Sequence, residues 1–170
     1  MGFARNVAEL LGPIGGAASI YTVASVFLVL VMGVPKVKNY SLRYVFICGG
    51  LFVAYEICLA LALGMANSRT QAIEMLVINY LWPALTVLLA VIVSQKKTSL
   101  WVYPSIAIAF LGVAWSVTGD QDLSFAQIVA NVATNPVTYA MAFVGAFLWA
   151  IYCNLTKRIS NGQNAITLFF

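Results

Sequence analysis

The spacing of charged residues constrains this chain more than any other feature. From Leu10 to Pro35 no residue is charged, and the run closes at Lys36 and Lys38. A helix needs about 20 mostly apolar residues to cross roughly 30 Å of hydrocarbon, so an uncharged run of this length predicts a membrane crossing. The pattern repeats along the chain. Tyr44 to Asn67 is interrupted only by Glu56, and the tract after Arg69 carries Glu74 near its start and runs to Gln95, before Lys96 and Lys97. Thr98 to Gly119 stops at Asp120 and Asp122. The last uncharged tract, Leu123 to Thr156, is too long for one crossing and contains Asn131, Asn135 and Pro136. Divided there, it leaves a span from about Val137 to Thr156, closed by Lys157 and Arg158, and five spans in all. The expected fold is an all-α integral membrane helix bundle.

Composition agrees and removes other classes. Charged residues make up 8% of the 170, against about 25% in soluble domains. Hydrophobic residues make up 62%, and the mean hydropathy is +0.94. A net charge of +4 this sparsely spread is no nucleic-acid signal, and three cysteines without a histidine make neither a disulfide scaffold nor a metal site. What matters is where the cations fall. Lys36, Lys38, Arg43, Lys96, Lys97, Lys157 and Arg158, seven of the nine, lie on one set of connectors. The opposite set carries Arg5, Arg69, Asp120 and Asp122, which places the first set in the cytoplasm.

That threading puts the N-terminus outside. The opening Met-Gly-Phe-Ala-Arg lacks the three-part pattern of a cleavable signal peptide, so an upstream crossing is expected. Asn164 to Phe170 ends in an apolar run that reads as the start of another helix, and the chain is expected to be a fragment. Between the fourth and fifth spans, Ser124-Phe-Ala-Gln127 fits a capping box. Phe125, Ile128, Val129 and Val132 follow at helical spacing, predicting a short amphipathic helix on the outer surface. It is either a lid or, more simply, an interfacial connector.

Small residues recur nearly four apart at Gly12 to Ala18, Gly49 and Gly50, Ala60 to Gly64, and Ala142, Ala146 and Ala150. In lipid, helices associate by close backbone approach through such residues. Tyr40, Tyr44, Trp101 and Tyr103 fall at the inner ends of spans and predict an aromatic belt. Cys48 and Cys58 share one helix and Cys153 lies in another crossing, so all three read as buried apolar residues. The tripeptides Asn39-Tyr-Ser41 and Asn154-Leu-Thr156 fall on the predicted inner side and are not glycosylation sites.

The informative residues are those a membrane disfavours. Glu56 sits near the middle of the second span, where an ionised carboxylate costs at least about 2.5 kcal/mol on insertion scales. It is either a neutral acid bonded to a neighbouring helix or a cavity-lining acid that attracts an ammonium group or carries a proton. In the third span Glu74 is followed by Asn79, Tyr80 and Trp82, and Pro83 removes a backbone N–H in mid-membrane, which bends a helix where it lines a cavity or is covered by neighbours. Each aromatic alone reads as core; the combination reads as a binding wall. Trp149 and Tyr152, three apart beside Gly145, form either a second aromatic wall or an inner-interface belt. No phosphate loop, metal spacing, Gly-x-Ser-x-Gly or intramembrane acid pair is visible. No cofactor is expected, and a passive or ion-coupled carrier is favoured over a pump or an enzyme.

The strings Leu11-Gly-Pro-Ile-Gly-Gly-Ala-Ala18, Leu51-Phe-Val-Ala-Tyr-Glu-Ile-Cys-Leu-Ala-Leu-Ala-Leu-Gly64, Gln71-Ala-Ile-Glu74, Asn79-Tyr-Leu-Trp-Pro83 and Gly145-Ala-Phe-Leu-Trp-Ala-Ile-Tyr-Cys153 resemble the aromatic amino-acid exporters of the drug/metabolite transporter superfamily. The resemblance implies a bacterial inner-membrane carrier of Phe, Tyr and Trp, with ten helices in two five-helix inverted repeats that rock about a central cavity. On that plan residues 1–12 are the outer end of the first helix and 13–119 are helices two to five. Residues 120–136 are then the outer loop with its amphipathic helix, and 137–170 are helix six and the start of helix seven. The cavity-lining positions it implies are Tyr55, Glu56, Glu74, Asn79, Tyr80, Trp82, Trp149 and Tyr152. Aromatic rings would stack on the substrate, while Asn79 and a Glu or Tyr hydroxyl would hold its zwitterionic end. The expected partners are an aromatic amino acid, the bilayer, and the missing helices or another copy of the chain; nucleic acid is not among them. With so little of the second repeat present, the chain alone is not expected to transport. Two alternatives stay open: a permease for another small solute or a planar cation with Glu56 as counter-ion, and a remnant without transport.

Overall fold

The computed structural model describes residues 2–34, 40–94, 99–118, 125–162 and 166–169. Among them every regular element is a helix: α1 Gly2–Met32, α2 Leu42–Gly64, α3 Arg69–Asn79, α4 Trp82–Ser94, α5 Val102–Thr118, α6 Phe125–Thr134, α7 Pro136–Ile159 and α8 Ile166–Phe169. Among the described residues, four stretches are long and apolar enough to cross a membrane: Ile14–Met32, Leu42–Gly64, Arg69–Val93 and Pro136–Ile159. The fourth expected span is α5, whose 17 residues extend about 26 Å.

Local chemistry sets the ends. Ser41 and Ser68 cap α2 and α3, each hydroxyl accepting from the backbone N–H three residues on. α7 opens with Pro136 in its first turn, where the missing N–H costs nothing. Two breaks depart from straight spans. Gly12, expected to aid helix packing, instead adopts φ 75°, ψ 165° and divides α1. It precedes a proline, which disfavours helical geometry in the residue before it, and only glycine adopts a positive φ without strain. The third span is likewise two helices, parted at Tyr80 and Leu81, with Pro83 in the first turn of α4 rather than at a bend within one helix.

The centre of the bundle is α7, packed between α2 and the α3–α4 pair. Cys48 meets Thr156, Phe52 meets Tyr152 and Gly145 lies against Tyr55 and Cys58, so α2 and α7 run antiparallel. Glu74 meets Tyr139, Trp82 meets Trp149 and Thr86 meets Asn154, so α3 and α4 run parallel to α7. Small residues permit this, as their spacing predicted: Ala142, Ala146 and Ala150 are buried, and a Cβ at Gly145 would stand 3.5 Å from that of Cys58. Two apolar clusters result. One joins Tyr44, Cys48, Phe52 and Tyr152; the other joins Ala62, Met75, Tyr139 and Ala142.

The expected aromatic belt is corrected in part. Tyr44 is 1% exposed and lies edge-on to Phe169 at 5.7 Å, so it belongs to the core, and half-buried Tyr40 packs against it. α8 folds back over α2, covering that ring. Trp101 and Tyr103 are exposed as a belt requires. The three cysteines are free.

Asn154 ties α4 to α7, its amide donating to the Thr86 carbonyl at 3.0 Å and to Ala150 of its own helix. Interhelical side-chain hydrogen bonds in membranes contribute about 0.6 kcal/mol on average and up to about 1.7. Asn154→Leu is expected to lower unfolding free energy by about 1 kcal/mol in mixed-micelle denaturation; a variant as stable as the parent would show the bond to be idle.

Candidate functional site

Five of the eight expected site residues come together where α2, the α3–α4 break and α7 meet. Trp149 is the hub. Its ring lies 4.5 Å from that of Tyr55, 4.8 Å from Tyr152 in a stacked pair, and 6.3 Å edge-on from Trp82. Asn79, the last residue of α3, donates through Nδ2 to the Tyr55 hydroxyl at 3.4 Å. Tyr80 sits at the break itself and is 38% exposed, outside this cluster.

The geometry follows from local sequence. On α2, Tyr44, Cys48, Phe52 and Tyr55 recur three or four apart and form one buried stripe. On α7, Gly145 lets α2 approach, and Trp149 follows one turn later to fill the space between α2 and α4. Phe52 was missed as a site residue although the α2 stripe makes it legible; it contacts Trp149 at 5.7 Å and Tyr152 at 5.9 Å. Phe169, at 5.9 Å from Phe52, closes the far end.

Glu56 faces elsewhere. It lines a cleft of about 440 Å³ between α1, α2 and α8, with Ile14, Ala18 and Ile57 among its apolar walls. The Tyr21 hydroxyl donates to its carboxylate. Phe52 lines the same cleft and also touches Trp149, so one ring borders both the acid's cleft and the Trp149 cluster. Tyr21 carried no signal in the sequence, because a lone tyrosine in an uncharged span is indistinguishable from core.

Glu74 forms a third centre, at the end of the bundle where α3 begins. It is 3% exposed and accepts from the Tyr139 hydroxyl and from Asn131 Nδ2 at 2.9 Å. Gln71 reaches the Asn131 carbonyl at 3.5 Å, and Asn135 donates to the Met65 carbonyl at 2.9 Å. α6 is therefore pinned through its polar edge, while Val129 and Val132 face outward. The capping box at Ser124, with Asp120 and Asp122, lies outside the described residues. Breaking one partner of a buried polar pair costs about 1–3 kcal/mol. Tyr139→Phe is thus expected to lower stability by about that amount and to raise protease cleavage near α6; unchanged cleavage and stability would mean the hydroxyl holds nothing.

Asn79 Oδ1 is buried and has no hydrogen-bond partner. Leaving such an acceptor unsatisfied costs about 1–3 kcal/mol. The site therefore joins aromatic surface to an open acceptor at a helix break, in a chain where none of the described His, Cys, Asp and Glu residues group to hold a metal.

No family model and no solved structure matches this sequence. Two curated proteins do. The chain is 46% identical over 169 residues to a protein of Salmonella typhimurium, strain 14028s, named aromatic amino acid exporter YddG, and 43% identical over 169 residues to one of the same name from Escherichia coli K12. Each match covers 99% of this chain, which spans 58% of the length of either relative. Among the described residues four helical stretches are long and apolar enough to cross a membrane, and the chain is similar over nearly its whole length to two proteins named aromatic amino acid exporters.

Proposed function

We propose that the chain supplies one side of the substrate site of an aromatic amino-acid exporter that works by alternating access. The observation that carries this is the Trp149 cluster: the rings of Tyr55, Trp82 and Tyr152 each against that of Trp149, beside a helix broken in mid-membrane. Offset and edge-on ring contacts add about 0.5–1.5 kcal/mol each beyond area burial, and a substrate ring joining such a cluster gains the same. Interrupted helices are tolerated at membrane depth where they line a cavity or are covered by protein. The names of the two relatives support the cargo, and the spacing of Arg43, Lys157 and Arg158 supports a cytoplasmic placement of the inner ends. In the same reading residues 1–12 end one crossing, 13–119 and 137–170 carry the others, and 120–136 form the outer loop.

The cleft at Glu56 favours a second reading, in which a planar cation is the cargo and the carboxylate its counter-ion. Competition separates them. Labelled phenylalanine bound to the chain in nanodiscs is expected to be displaced by tyrosine and tryptophan and not by planar cations; displacement by the cations alone would reverse the assignment. Expression of the chain in a strain sensitive to toxic aromatic analogues tests export itself: resistance supports transport by this length of chain, and its absence places transport in a longer assembly.

A further inference from the structure

Gly49 and Gly50 are neighbours on α2, yet their surroundings differ. A Cβ at Gly50 would meet nothing within 4 Å, whereas one at Gly49 would stand 3.1 Å from Cε1 and 3.3 Å from Cδ1 of Phe169. What the missing side chain of Gly49 admits is therefore a phenyl ring. Three more rings wall the same place. Tyr44 meets Phe169 edge-on at 5.7 Å, Tyr152 meets it edge-on at 6.4 Å, and Phe52 lies tilted by 36° at 5.9 Å. Edge-on and offset contacts are the arrangements that the quadrupoles of aromatic rings favour, so these four residues select an aromatic occupant over an aliphatic one of equal size.

The slot is walled but not sealed. Phe169 is half-buried and, together with Phe52, lines the cleft of about 440 Å³ between α1, α2 and α8. A ring inside that cleft meets the open side of the slot. Exchange with Phe169 costs little in contacts, because those that Phe169 gives up are the ones an incoming ring makes. Two of the walls, Phe52 and Tyr152, also touch Trp149, so a change of occupant is felt in the aromatic cluster.

We propose that Gly49, Tyr44, Phe52 and Tyr152 form a binding slot for a single six-membered aromatic ring, that Phe169 occupies it as a tethered ligand, and that a free ring arriving through the cleft exchanges with it. This goes beyond the function proposed above and does not depend on which solute the chain carries. The walls are one glycine and three rings without a charge, so the slot takes the uncharged ring of a small aromatic molecule rather than a cation.

The test uses the full chain in nanodiscs with two probes, 2-phenylethanol and 2-cyclohexylethanol. They share the hydroxyl and the carbon count, but the cyclohexyl ring is thicker and has no quadrupole. Phe169→Ala is expected to lower the melting temperature by about 4–8 °C. 2-Phenylethanol is expected to recover part of that loss, and 2-cyclohexylethanol none of it. Adding Gly49→Val to Phe169→Ala is expected to abolish the recovery, while adding Gly50→Val leaves it in place. In the otherwise unaltered chain, 4-fluorophenylalanine at position 169 is expected to show a saturable fluorine NMR shift with 2-phenylethanol alone, which decides the matter if Phe169→Ala does not fold. Recovery by both alcohols alike or by neither, recovery that survives Gly49→Val or is lost equally in Gly50→Val, or a fluorine signal that does not distinguish the two alcohols would overturn the slot.

Discussion

Ala146→Leu is expected to lower the unfolding free energy by about 3 kcal/mol, the upper part of the range for over-packing. The reason is specific to lipid. Lipid tails are as apolar as the helices, so α7 is held by close contact and hydrogen bonds rather than by expulsion of water. Ala146 is 0% exposed, one turn from Ala142 and Ala150 and beside Gly145, where the α2 backbone comes within 3.9 Å of an added Cβ. A leucine there must part α7 from its neighbours, and the aromatic cluster one turn below would separate with them. Ala140→Leu, on the exposed side of the same helix, adds the same atoms and is expected to change stability little. Unfolding in mixed micelles, together with membrane abundance of the two variants, checks this. Equal stability would mean that the small-residue stripe does not set the packing.

The second large effect is at Trp149. Truncating a fully buried tryptophan to alanine costs about 3–5 kcal/mol; Trp149 is half-buried, which points to the lower end of that range, and here truncation removes the ring that touches Phe52, Tyr55, Trp82 and Tyr152 together. Trp149→Ala is therefore expected to lose both stability and phenylalanine binding. Trp149→Phe separates the two roles. A phenyl ring keeps much of the packing, so stability is expected to fall by about 1–2 kcal/mol, while phenylalanine affinity falls about tenfold because the larger stacking face is gone. Thermal melting and binding in nanodiscs read the two quantities independently. Parent-like binding in Trp149→Phe would exclude Trp149 as the stacking surface.

The candidate residues were legible as types, and their grouping was not. Asn79 and Trp82 stood out beside an intramembrane proline, Trp149 and Tyr152 by their spacing beside Gly145, and Tyr55 through the family resemblance alone; the structure brings the five together. Glu56 and Glu74 stood out as acids in uncharged spans, yet lie in two other places. An unpaired acid in a span shows only that it needs a partner. Which partner, Tyr21 for one and Tyr139 with Asn131 for the other, depends on how helices far apart in the chain are set side by side.

The sequence by itself determined the solvent, the helical class, the approximate crossings and the stripe by which α7 packs. Each follows from a local rule: the length needed to span hydrocarbon, the demand that every backbone group be bonded internally, and the periodicity of small residues. Only the tertiary structure decided that the third span is two helices, that Tyr44 is core rather than belt, and that Asn79 meets the Tyr55 hydroxyl. Those outcomes depend on packing partners 24 to 125 residues away, across the Asn79–Tyr55 bond and the Tyr44–Phe169 contact, which no local pattern encodes.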